Sequence, residues 1–192
     1  MLSKNCLKDY LLDLHEVLES LDLNQVVKIA EILFTAAKSG KRVYVFGNGD
    51  SATNSLHLAA DLSKTSSLEG LSLKIYSLVN NVPLITAWAN DSSYESIFVE
   101  QLKNFLEEGD VVIGFSGSGN SKNVLEAIKY ANSKHAITVG LTAFNGGKLK
   151  DLANYVIVGK TNSMEIAEDL HWVIGHLLKV YLIELIRKQG SK

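Results

Sequence analysis

The feature that most constrains this chain is an alternation. Five short β-rich runs, RVYVFG, LSLKIYSL, DVVIGFSG, AITVGLT and YVIVG, are separated by helical segments of ten or more residues. Strands joined by helices of that length return in the same direction, so they predict a parallel sheet covered by helices on both faces. Ahead of the alternation the chain reads as helical: Leu7, Leu11, Leu14, Leu18 and Leu21 recur at three- and four-residue spacing. A turn near Asp22 and Asn24 separates them from a second helical stretch, Val26 to Ala37. The last helix is expected from about Ser163 to Lys188 and is apolar over much of its circumference. Such a helix must be covered, by the N-terminal helices or by another subunit. A homo-oligomer is the favoured expectation.

One domain is expected over residues 1–192, with 1–39 as an N-terminal helical extension. No low-complexity tract or charge run marks a boundary, and the only proline, Pro83, is flanked by apolar sequence. A chain of 192 residues buries a sizeable core without staples. A net charge of −2 offers no electrostatic footprint for nucleic acid or an anionic membrane. The lone cysteine, Cys6, cannot form an internal disulfide, which fits a reducing cytoplasm. The most apolar segment, WVIGHLLKVYLIELI, is broken by His176, Lys179 and Glu184 and is too short to span a bilayer.

Two loops echo each other. Gly47-Asn48-Gly49-Asp50-Ser51 and Gly117-Ser118-Gly119-Asn120-Ser121 each follow a buried-type strand, repeat Gly-x-Gly-x-Ser and open a helix. Glycines let the backbone turn sharply and approach a ligand. Helix starts add unpaired N–H donors and a partial positive charge, favouring an anion. Ser116, Ser118 and Ser121 add hydroxyl donors in the second loop. Helix capping alone would ask for one serine, not three. Gly47-x-Gly49-x-x-Ala52 also satisfies a dinucleotide fingerprint, but the second strand ends in Asn80 and Asn81, without the acidic residue that binds a ribose. No Gly-Lys-Ser/Thr follows either loop, so a P-loop is excluded. A small phosphorylated metabolite fits better than a nucleotide, and no nucleotide cofactor is expected.

The helix leaving the first loop carries His57 and Asp61, four residues apart and on one face. The last helix carries Glu168, Asp169, His171 and His176 within a largely apolar run. Spacing alone does not say which of these histidines belongs to a site. His171 reads as a packed, hydrogen-bonded core residue, and His15 and His135 as surface residues.

These residues together resemble the sugar isomerase (SIS) domain family, and within it the phosphoheptose isomerases. The resemblance rests on GNGDS, HLAAD, the pair Asn90-Asp91, GDVVIGFSGSGNSKNVLEAI, GGKL and EDLHWVIGH, in the family's order and spacing. It implies a three-layer αβα sandwich with a five-stranded parallel sheet, N-terminal helices packing between subunits, and a homotetramer with active sites between subunits. The implied activity is aldose–ketose isomerisation of a sugar phosphate, sedoheptulose 7-phosphate in the family enzyme, by proton transfer through an enediol.

Carried over position by position, Ser51, Ser116, Ser118 and Ser121 would bind phosphate, with Asn48 near the sugar and Asp91 and Glu168 among the substrate contacts. Asp61 stands where the family has its catalytic glutamate and His176 where it has its catalytic histidine. Zinc-binding members would use His57, Asp61, Glu168 and His176, a chemically reasonable ligand set.

This chain departs from the family pattern in four places. Asp61 is one methylene shorter than glutamate, Glu168 replaces a glutamine, Asp50 replaces a glycine beside the phosphate loop, and Lys64-Thr65 replace an arginine and a tyrosine. A non-catalytic phosphosugar sensor, or an adaptor like the relative that binds the bacterial replication initiator, is the competing reading. That relative lacks the acid and histidine at positions 61 and 176, so their presence favours an enzyme.

Overall fold

Strand parity sorts the core onto two sides of one sheet. The computed structural model describes residues 4–190, so the outermost residues of the expected 1–192 span lie outside the described residues. The elements follow the order α1 (Asn5–Glu19), α2 (Leu23–Lys38), β1 (Arg42–Phe46), α3 (Asp50–Leu68), β2 (Lys74–Ser77), α4 (Val82–Asp91), a 3₁₀ turn (Tyr94–Ser96), α5 (Val99–Phe105), β3 (Val111–Ser116), α6 (Lys122–Ser133), β4 (Ile137–Ala143), α7 (Leu149–Leu152), β5 (Tyr155–Gly159) and α8 (Met164–Gly190). The five strands pair in the order β2-β1-β3-β4-β5, all parallel. In β1, Val43 and Val45 join one apolar cluster while Tyr44 and Phe46 join the other. The same alternation separates Val111 and Ile113 from Val112 in β3, as expected when successive side chains leave opposite faces.

The first cluster packs under α1, α2, α3 and α8, and the second under α4, α5, α6 and α7. This is the expected α/β sandwich of three layers. Local signals agree with it. Asp22 caps α2 by accepting from the Asn24 N–H, and Asn81 caps α4 by accepting from the Leu84 N–H, with Pro83 in the first turn. The strand expected to end at Asn80 and Asn81 stops at Ser77; Asn80 lies in a bend and Asn81 caps the next helix.

The N-terminal helices differ from a simple extension. Ile29, Ala30 and Leu33 of α2 are completely buried, and α2 packs on α8 and the sheet. Much of the apolar circumference of α8 is therefore covered within the chain, by α2, α3 and α1, while Val180 stays exposed. Of the α1 leucine stripe, Leu14 and Leu18 pack on the core, while Leu7 and Leu11 are 66% and 64% exposed.

Candidate functional site

Strand order reverses direction between β1 and β3, because the chain leaves β1 for β2 on one side and returns to β3 on the other. In an open parallel sheet, ligands bind outside the carboxyl ends of the strands at such a switch point. The two glycine–serine loops follow those two strands. In the first, Gly49 adopts φ +56° and ψ −126°, a conformation that side chains with a Cβ avoid, and α3 starts at the next residue. A Cβ on Gly47 would lie 2.7 Å from the Ser51 Cβ. In the second loop Gly119 has φ +66° and packs directly on the Gly146–Gly147 backbone, where the Leu149 N–H donates to its carbonyl at 2.9 Å. The GGKL motif therefore buttresses the serine loop.

Side chains tie the loops together. The amides of Asn48 and Asn123 exchange hydrogen bonds of 2.9 and 2.8 Å, and the Tyr94 hydroxyl donates to Asn48 Oδ1 at 3.0 Å. Ser121 occupies the N-cap position of α6 but makes no side-chain cap hydrogen bond. Its hydroxyl instead meets that of Ser116 at 3.0 Å. Two hydroxyls thus converge at a helix start rather than serving as caps. Ser118 accepts from the Asn120 N–H at 3.2 Å, and Ser51 is buried in the first turn of α3. Asp91, expected among the substrate contacts, is exposed at the end of α4 and accepts from its neighbour Asn90 at 2.8 Å.

His57, Asp61 and His176 meet between α3 and α8. His57 meets His176, Asp61 meets Lys179 and Glu69 meets Arg187, at sequence offsets of 119, 118 and 118 residues. A constant offset means that the two helices run side by side in the same direction. The Nε2 atoms of His57 and His176 are 2.9 Å apart, so one carries the shared proton. Each also lies near Asp61 Oδ2, at 3.7 and 3.8 Å. The His57 ring stacks on Trp172 at 3.9 Å between centroids, which fixes its plane. Burial pushes the His57 pKa down; the Asp61 charge partly offsets this, while His176 and Lys179 add to the lowering.

Two expectations need correcting. Glu168 does not join His57, Asp61 and His176; among the described residues those three alone bring ligand atoms within 4.8 Å of one another. Glu168 shares a recess with Asp50 and Trp172, and burial followed by the Asp50 charge raises its pKa. Asp50 sits in the first turn of α3 and lines the same recess as Glu168. His171 is 1% exposed, as a core residue should be, but neither ring nitrogen has a hydrogen-bond partner. It packs edge-on against Phe115, and burial lowers its pKa to about 4, with the Thr142 main chain opposing that shift.

Residue-by-residue reading passed over Trp172 and Lys179, although they share the His176 face of α8 at four- and three-residue spacings. Asn123, inside the second loop's motif, and Tyr94, outside any motif, were also not singled out, because both reach Asn48 only through the tertiary fold.

Comparison with known proteins gives the family and the fold. The family model described as "SIS domain" matches residues 8–143, a span that ends before α8. The phosphoheptose isomerase of Aquifex aeolicus is 35% identical over 84% of this chain and 85% of its own. That of Clostridium acetobutylicum is 35% identical over 81% of this chain and 80% of its own. Among solved structures, a phosphoheptose isomerase from Francisella tularensis superimposes with a TM-score of 0.88, covering 96% of this chain and 100% of that one at 24% identity. At that identity the likeness concerns the fold.

Proposed function

The chain belongs to the SIS domain family, and from that premise we propose that it is a phosphosugar isomerase interconverting a ketose phosphate and an aldose phosphate. A heptose 7-phosphate is the favoured substrate, following the names of its relatives. The observation that carries the reading is the meeting, at 3.8 Å, of Asp61, on the helix that leaves the first glycine–serine loop, with His176 of α8, distant in sequence.

Isomerisation needs a base to take a proton from the carbon beside the carbonyl and an acid to protonate the carbonyl oxygen, giving an enediol. The base then returns a proton to the former carbonyl carbon while the other enediol hydroxyl gives its proton to the conjugate base of the acid, leaving the carbonyl one carbon along. Asp61 and His176 take these two roles, and His57, held flat by Trp172, shares a proton with His176. The Ser116–Ser121 hydroxyl pair, Ser118, Ser51 and the start of α6 form the phosphate anchor. Asn48 faces the sugar, and Asp91 and Glu168 are assigned to its hydroxyls, for which carboxylates are acceptors.

The donor types of His57, Asp61 and His176 suit zinc, but the expected set of four does not assemble. Glu168 lines a separate recess with Asp50, and both Asp61 oxygens accept from the Lys179 ammonium. No step is therefore routed through a metal. Exposed Leu7, Leu11 and Leu12 on α1 support assembly into a homo-oligomer, for which we take the tetramer implied by the family resemblance. The chain is read as one SIS domain and assigned to the cytoplasm, on its single cysteine. No helix among the described residues is long and apolar enough to cross a membrane.

The test is a panel of pentose, hexose and heptose phosphates offered to the wild type, Asp61→Asn and His176→Asn. Wild-type conversion of at least one ketose phosphate, lost in both variants, is the expected result. Binding of the whole panel without conversion of any member would make the protein a sensor.

A further inference from the structure

We propose that Lys179 is the fixed cation of this site: it positions the Asp61 carboxylate and holds the place that a divalent metal would need. Its ammonium donates to both carboxylate oxygens, at 2.9 and 3.0 Å. The contact is built into the helix packing rather than made by a wandering surface side chain. Lys179 lies one turn beyond His176 on α8, as Asp61 lies one turn beyond His57 on α3, and the same register continues to the bidentate Glu69–Arg187 pair. The side chains of Asp61 and Lys179 are only 22% and 31% exposed, so solvent screens their attraction less than on an open surface.

Two consequences follow from the chemistry. A carboxylate gripped at both oxygens cannot rotate freely, so the shorter reach of an aspartate is offset by a fixed orientation toward the two imidazoles. A divalent ion on His57, Asp61 and His176 would need the same carboxylate, and the ammonium would repel it at close range. The two imidazoles then remain available for proton transfer instead of serving as ligands. The positioning role rests on the isomerase reading; the exclusion of metal rests on geometry alone.

The experiment uses the full chain stripped of metal by dialysis against a chelator. Zinc affinity is measured by competition with a chromogenic chelator for the wild type, Lys179→Met and Lys179→Arg. Lys179→Met is expected to bind zinc about tenfold or more tightly than the wild type, the size of change seen when a neighbour of a metal ligand is altered. Lys179→Arg, which keeps the charge and pairs with carboxylates through two N–H groups, is expected to stay near the wild type. On the sugar phosphate converted by the wild type, Lys179→Met is expected to lose about tenfold or more in kcat, with KM changed less than about threefold.

Equal or weaker zinc binding by Lys179→Met would overturn the proposal, as would an unchanged kcat. So would wild-type activity that disappears on metal removal and returns with zinc. Circular dichroism and thermal unfolding establish that the variants fold, with Lys179→Gln taking the place of Lys179→Met if it does not. Should the wild type convert no sugar phosphate, the functional reading fails, and the zinc comparison still decides what Lys179 does.

Discussion

His171 shows how much a single side chain can depend on its surroundings. It faces Phe115 of β3 from α8 without a hydrogen-bond partner, and its pKa is lowered to about 4 from an ordinary 6.5. The unfolded chain therefore binds a proton over that range while the folded chain does not. Stability is full above about pH 6.5 and falls as the pH drops toward 4. The shift is worth about 3 kcal/mol. Urea denaturation of His171→Leu against the wild type at pH 7 and pH 4 measures it: the variant should lose less stability on acidification by about that amount, and parallel losses would refute it. Differencing is needed because paired carboxylates such as Glu69 and Glu165 also weaken on acidification. The residue types at the site were legible in the sequence, and so was the pairing of His57 with Asp61. Which histidine of α8 met them was not settled by spacing, since that depends on how α8 lies against α3. Only the resemblance singled out His176. Lys179 read as an interruption of an apolar run, because a lysine's partner on another helix leaves no mark in its own segment.

At the level of elements, the two loops repeat one motif but depend on their glycines for different reasons. Gly49 needs its backbone conformation, and a Cβ there would meet nothing within 4 Å. Gly119 needs both its conformation and its lack of a side chain, because a Cβ would overlap the Gly146 carbonyl. Gly49→Ala should therefore cost about 1–3 kcal/mol, the strain term alone. Gly119→Ala should cost more than about 3 kcal/mol and weaken phosphate binding as well, since the backbone of the serine loop must shift. Urea midpoints give the first comparison and isothermal titration with inorganic phosphate the second; equal costs would show that the buttress is unimportant. The loops themselves were readable as tight glycine turns that open helices, because each glycine–serine run stands between a β-rich segment and a helical one. That GGKL supports one of them was not readable, since the contact joins the ends of β3 and β4.

For the whole molecule, strands buried on both faces appear as β-branched runs, so the five strands and their parallel order follow from the chain's pattern and the handedness of its crossovers. The surface is another matter. The apolar character of α8 asked for cover by the N-terminal helices or a second subunit; α1, α2 and α3 pack on it, while Leu7, Leu11 and Leu12 of α1, Leu23 of α2, Leu68 of α3 and Val180 of α8 itself stay exposed. Replacing Leu7 and Leu11 with glutamate should lower the mass measured by light scattering, without changing the circular dichroism spectrum; an unchanged mass would remove α1 from the interface. The central claim is that Asp61 and His176 move a proton on a bound sugar phosphate. It is tested most directly by incubating the protein with sedoheptulose 7-phosphate in D₂O and following the mixture by NMR. The account predicts an aldose phosphate carrying solvent deuterium at C2, formed by the wild type and absent with Asp61→Asn or His176→Asn. Sedoheptulose 7-phosphate that binds yet stays unconverted and undeuterated with the wild type would contradict it.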